Sequence, residues 1–422
     1  MKRFLWLMSV VGLLFLFSGT PVEAKECDFD FFYQRIEKVV QINNPEPKGW
    51  WEKTKSFVKG VGNTIARTWE KAVTRTMFPG EGSKTWYSKQ DPNTAYTVSR
   101  HKVRDEAHLL ELMGVKSESQ LSDGQKALMA SFRMSQSQAI KNRIPYGKQS
   151  KIRVILSDTT GFDDANTFPN VEKDFWPYSN GPLIQLSSNG YNYPNSEDDA
   201  RSTFLHEYSH SMDGTMKEFI NPYGKDGSHY CNEKTGKRAA FVEGWAEFNE
   251  MLEFPMERSR IISSVNSQIR IESKKKAGEY EFVDPKGSDI SGIDLLNVEG
   301  VNACIMYRMA SEIPDGQKKV FEAFVASNGW FNNLRDLVKA FLSKNPGELA
   351  KVGTIIEEAT YGKLTDSQLQ EFIGDSAAAM AFLKTRKVKT IPGTVPSTAP
   401  AATKTSGGAK VIGLQGNPYS EK

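Results

Sequence analysis

Apolar positions recur along this chain with two spacings. Around residue 200 the spacing is helical: Ala200, Phe204, Leu205, Tyr208 and Met212 follow one another by steps of four, one, three and four behind Ser196-Glu197-Asp198-Asp199. There Ser196 reads as an N-cap, Asp199 stands three places on, and acidic residues in the first turn suit the helix dipole. Residues 237–252 predict a second helix carrying Phe241, Val242, Trp245, Ala246 and Phe248. Period-two, β-branched runs at 151–157 and 182–188 predict two strands separated by a loop rich in Gly, Asp, Asn and Pro. Residues 25–148 read as mostly helical, with one stripe from Phe29 to Val40, a second from Trp51 to Val73 and a third segment at 121–140. Beyond Pro255 helical spacing returns at 295–313, 318–326, 334–342, 349–359 and 366–383. The expected fold class is α+β, mostly helical, with a small sheet.

Composition divides the chain further. Met1-Lys2-Arg3, an apolar run over residues 4–18 and a small residue at Ala24 read as a secretory signal over 1–24, too short in its apolar part to favour a membrane span. A secreted or periplasmic protein without a stable membrane anchor is therefore expected. Without that segment the chain carries 52 basic and 50 acidic residues, a balance that gives no reason to expect nucleic acid as a partner. The remaining organisation reads as an N-terminal helical region over 25–148, a core domain over 149–385 and a disordered tail over 386–422 rich in Pro, Thr, Ala, Gly and Lys. Residues 50–78, with their lysines and arginines, read as a packed helix with a wet basic face in preference to a membrane-active one. Three cysteines, Cys27, Cys231 and Cys304, leave one disulfide and one spare thiol in an oxidising compartment. The pairing is open, with Cys231 to Cys304 the expected one.

Two of the five histidines stand in His206-Glu207-Tyr208-Ser209-His210. On an α-helix this H-E-x-x-H spacing puts both imidazoles on one face, one turn apart, able to grip one ion. Glu207 sits to the side of that face, where a general base for a metal-activated water belongs. A catalytic zinc takes three protein ligands. Met216 occupies the place where a third histidine of the same segment would fall, so the ligand must come from another element. The 237–252 helix offers Glu243 and Glu247 one turn apart. Glu243 is positioned to coordinate the metal, and Glu247 to accept a hydrogen bond from the outer nitrogen of His206 or His210. The pair also reads as a solvated acidic face, which the flanking Phe241, Val242, Trp245 and Phe248 argue against.

Taken together, these residues resemble the gluzincin metallopeptidases. Within that group the stretches from His206 to Asp213 and from Glu243 to Phe248 look like the motifs of the anthrax lethal-factor-like peptidases, over about 60 residues. The resemblance implies a zincin-like catalytic domain, one Zn2+ on His206, His210 and Glu243, Glu207 as general base, Glu247 behind the ligands, and a Tyr or His beside the oxyanion. It also suggests residues 183–188 as an edge strand that receives substrate in extended form. For the oxyanion donor the loop before the second helix offers His229 and Tyr230, with Tyr280 and Tyr307 as competitors. Asp213, three residues past His210, is a candidate to brace the helix end or the ligands, or a plain salt bridge. The expected activity is hydrolysis of a peptide bond in a protein or peptide partner. The rivals are a zinc amidase acting on cell-wall peptide and a non-catalytic binding protein on a zincin scaffold.

Overall fold

The computed structural model describes residues 28–40, 81–87, 94–147, 151–158, 174–178, 181–188, 196–212, 230–272, 279–287, 289–326 and 333–386. The expected signal segment, the basic stretch 50–78, Cys27, Asp213, His229 and residues 387–422 lie outside them. Among the described residues no helix is long and apolar enough to cross a membrane. The architecture is mostly helical with one small mixed sheet, as the class α+β requires.

The sheet has six strands: β1 (Asp28–Val40), β2 (Gly82–Tyr87), β3 (Thr94–Lys102), β4 (Lys151–Asp158), β5 (Asp174–Tyr178) and β6 (Gly181–Ser187), ordered β2-β3-β1-β4-β6-β5. β1, β4 and β6 run parallel; β2, β3 and β5 are antiparallel to their neighbours. The helical reading of residues 29–40 is thus corrected. Phe31 and Tyr33 alternate with Asp30, Phe32 and Gln34, and a period of two decides in favour of the strand. Residues 81–102 likewise contribute two strands to a region expected to be mostly helical. Because Asp28 to Arg35 pairs with Lys151 to Asp158, the sheet runs across the expected division at 148/149. The expected edge strand at 183–188 is also corrected, since β6 lies between β4 and β5 and the edge is β5.

Helices α1 (Glu106–Leu112), α2 (Asp123–Ser135) and α3 (Gln138–Arg143) follow β3. α4 (Glu197–Met212) follows β6, and α2 and α4 both pack on the sheet. Phe31 meets Phe132 of α2 edge-on with ring centroids 4.9 Å apart, and meets Phe204 of α4 at 6.4 Å. Ser131 Oγ donates to the Ala200 carbonyl at 3.2 Å, which ties the two helices together. The end of β4 is held by a buried carboxylate: Asp158 accepts from Tyr33 Oη at 2.5 Å, Gln125 Nε2 at 2.8 Å and Ser188 Oγ at 3.1 Å. A buried acid surrounded by donors is stable where an unpartnered one is not.

The rest of the chain builds out from α5 (Lys237–Glu253), which lies between α4 and α8 (Glu299–Glu312). α6 (Pro255–Ser267) leads to a hairpin of β7 (Ile269–Glu272) and β8 (Tyr280–Val283), then to α7 (Gly292–Leu295). The hairpin falls before residue 295, where the expected helical spacing returns. α9 (Gly316–Ala326), α10 (Leu334–Lys344), α11 (Leu349–Ala359), α12 (Asp366–Ile373) and α13 (Ala377–Thr385) complete the fold. The single helix expected over 366–383 is two helices, separated at Gly374 with φ of +85°. Arg386, expected in the tail, is anchored to Glu357 at 3.0 Å, Asp366 at 2.7 Å and the Leu364 carbonyl at 2.7 Å.

Two contacts fix α5. Trp245 stacks on Phe324 of α9 at 3.9 Å with an interplanar angle of 4°, and meets Phe321 edge-on at 5.4 Å. On its other side Gly244 lets α8 approach so closely that a Cβ there would stand 2.6 Å from the Glu299 carbonyl oxygen and 2.7 Å from Asn302 Cβ. Gly244→Ala raises helix propensity, yet it is expected to destabilise the protein by about 1–3 kcal/mol, because neither obstacle is the free end of a flexible side chain. Urea unfolding of parent and variant checks the sign: propensity alone predicts a gain.

Candidate metal site

The candidate ligands stand on the facing surfaces of α4 and α5. Ser196 Oγ accepts from the Asp199 backbone N–H at 3.2 Å, so α4 starts where its cap was expected. About three and four turns later come His206 and His210, ring centroids 4.8 Å apart and planes at 84°. Glu243 reaches both from α5, and its Oε2 lies 3.1 Å from His206 Nε2 and 3.4 Å from His210 Nε2. One ligand atom from each residue falls within 4.8 Å of the others. The His210 and Glu243 side chains are only 6% and 5% exposed, whereas the His206 side chain is 20% exposed, which marks the open side of the cluster. Glu207 is buried beside them.

The carboxylate on the outer nitrogen of His206 is Glu250, with Oε2 3.1 Å from Nδ1. Ser202 Oγ donates to the other oxygen of Glu250 at 2.7 Å. Of the two histidines that the sequence offers to Glu247, His206 is served by Glu250 instead: Glu250 lies one turn further along α5, and α5 crosses α4 so that this turn meets the imidazole. Glu247 is buried behind the ligands, and its Oε2 has no hydrogen-bond partner among the described residues. The sequence reading missed Glu250, Ser202 and Glu299. The signal for the first was present, because Glu243, Glu247 and Glu250 repeat at i, i+4 and i+7 along one helical stripe.

Four buried carboxyl groups divide into two pairs. Burial raises the pKa of every one of them, but His210 and His206 overcome this at Glu243, and His206 and Ser202 overcome it at Glu250, so both are held below the usual carboxylate range. Burial pushes Glu247 up, with the Glu299 and Glu250 charges adding to it; burial and the Glu243 charge do the same to Glu299 at the start of α8. At His206 burial opposes the charged form, yet Glu250 and Glu243 hold its pKa well above the usual value. Arg260, bonded to Glu257 at 2.7 Å, is a further cation whose charge reaches Glu247, Glu250 and Glu299.

The donor set fits a divalent metal. A neutral imidazole has one N–H, so once Glu250 accepts from Nδ1 the lone pair on Nε2 faces the Glu243 carboxylate. That arrangement requires a cation, either a second proton or a metal ion. Ligand atoms around a tetrahedral zinc with bonds of about 2.0–2.2 Å stand roughly 3.3–3.5 Å apart, close to the two Nε2 to Oε2 separations.

The other expected residues stand elsewhere. Tyr230 is 41% exposed, and its ring lies 4.8 Å from the Arg270 guanidinium, which also lies 4.0 Å from the Tyr280 ring. Tyr307 Oη accepts from Arg258 at 2.9 Å. Cys231 and Cys304, expected as a disulfide, are two free thiols, each pushed up to about 12 by burial and the Glu247 charge. Comparison with protein-family models, with curated proteins and with solved structures finds no match to this chain.

The raised acid at Glu299 has a consequence for stability. Folding of the metal-free protein favours its protonated form, so the contribution is complete below about pH 4.5 and is lost as pH rises through the folded value. Glu299→Gln is therefore expected to match the parent near pH 4–5 and to gain on it above, by about 1 kcal/mol per pH unit while the buried acid stays protonated. Urea unfolding in the presence of a chelator at pH 5 and pH 8 measures this. A difference that does not grow with pH contradicts it.

Proposed function

We propose that this chain is an exported zinc-dependent peptidase of the gluzincin kind, with a zincin-like catalytic domain. The observation that carries the reading is the convergence of His206 Nε2, His210 Nε2 and Glu243 Oε2 from two helices onto one point, with Glu207 of the same H-E-x-x-H motif buried beside it. His206, His210 and Glu243 would hold the metal. Zinc, when bound, supplies Lewis-acid chemistry: it polarises a carbonyl oxygen and makes water acidic near neutral pH.

The chain's own groups do the rest. Glu207 takes the proton from the attacking water and returns it to the leaving amine, which is why the base must be a carboxylate that does not itself bind the metal. The open side of the cluster at His206 gives a carbonyl its way in. Among the described residues β5 is the edge strand next to α4, and in this reading it takes over from 183–188 the role of receiving an extended polypeptide. Trp245, Phe321 and Phe324 keep α5, and with it Glu243, from shifting against α4.

Glu207→Gln tests the reading, because it keeps the size of the side chain and removes the base. Cleavage of an unfolded protein such as casein is expected to fall 10²-fold or more, with the zinc content unchanged. Undiminished cleavage contradicts the proposed role of Glu207. Loss of zinc together with activity would make Glu207 a ligand instead.

A further inference from the structure

Glu250 has no counterpart in the pattern that a glutamate ligand followed four residues later by a second acid leads one to expect. From the geometry we infer that Glu250, oriented by Ser202, is the positioning residue that fixes His206 for metal binding, and that Glu247, in the place four residues on, does not do this. The inference rests on the zinc-peptidase reading above and deepens it.

Three observations carry it. Glu250 Oε2 lies 3.1 Å from His206 Nδ1, so it accepts the proton there and leaves the Nε2 lone pair for the metal. Its other oxygen is taken by Ser202 Oγ at 2.7 Å, so the carboxylate plane is held at both ends. Ser202 and His206 are one turn apart on α4, and Glu250 spans both from α5, so the three side chains lock the two helices in one register. Glu247 by contrast leaves Oε2 without a hydrogen bond among the described residues, and the charges that act on it most strongly are those of other carboxylates. His206 is the more exposed of the two histidines and the one whose ring most needs such a brace.

The test is zinc affinity, measured by competition with a chelator of known strength, on the parent, Glu250→Gln, Ser202→Ala and Glu247→Gln. Glu250→Gln is expected to weaken zinc binding 10- to 100-fold, as loss of a carboxylate behind a metal-bound histidine does. Ser202→Ala, a smaller change that keeps the helix intact, is expected to weaken it less but in the same direction. Glu247→Gln is expected to stay within about threefold of the parent, well short of the loss that removing such a carboxylate causes. A second readout separates positioning from general destabilisation. The zinc-loaded parent and Glu247→Gln are expected to show an exchange-protected proton resonance on His206 Nδ1, which moves upfield in Glu250→Gln and disappears in Glu250→Ala. Zinc binding in the parent that Glu250→Gln leaves unchanged, or a loss confined to Glu247→Gln, overturns this assignment alone. A parent that binds no zinc overturns the peptidase reading and this one with it.

Discussion

Five carboxyl groups and His210 are buried, and His206 partly so, where α4, α5 and α8 meet, and ionisable groups in such a place persist only if they compensate one another. Much of the design follows from that requirement. Glu243 and Glu250 stay ionised because they face His206 and His210, while Glu247 and Glu299, beyond the reach of the imidazole hydrogen bonds, are driven toward the neutral acid. The result is a cluster in which two carboxylates face the imidazoles and two carboxyl groups with raised pKa stand behind them. Under the proposed function a metal ion would sit where the three ligand atoms approach one another.

The scaffold is arranged to hold that point still. The sheet supports α4 through Phe31 and Phe204, and the aromatic stack of Trp245 on Phe324 fixes α5 from the other side. Gly244 and Gly300 set the close approach of α8: a Cβ on Gly300 would stand 2.6 Å from the Cys231 carbonyl oxygen, so the loop entering α5 is pressed against the start of α8. Arg143, wholly buried, reaches from α3 to Asn249 at 2.6 Å and Glu253 at 2.9 Å and pins the far end of α5. Apart from the support of α4 by the sheet, these contacts act on the helix that carries Glu243 or on the loop that enters it.

What was legible in the sequence is what depends on local spacing. The H-E-x-x-H pair on one helix, the α4 cap, the place of Glu243 on a second helix and most of the C-terminal helices follow from 3.6-residue periodicity, which the chain shows strongly. β1 was misread because its thirteen residues carry aromatic and aliphatic side chains on both faces, as a strand covered on both sides does, and such a run imitates a helical stripe. The order of strands, which puts β6 inside the sheet and β5 at its edge, arises from long-range pairing that no local spacing encodes. The choice between Glu247 and Glu250 as partner of His206 was equally out of reach: both lie on the same stripe of α5, and only the angle at which α5 crosses α4 decides which one meets the ring.

The proposed function depends on a metal held by His206, His210 and Glu243. X-ray absorption at the zinc edge of the purified chain, with elemental analysis of the same sample, tests it most directly. One zinc per chain with nitrogen and oxygen neighbours at about 2.0–2.2 Å, histidine scattering, and no sulfur is the predicted result. A sulfur neighbour at about 2.3 Å would place the metal on the cysteines, and a chain that retains no zinc would contradict the claim that His206, His210 and Glu243 form a metal site.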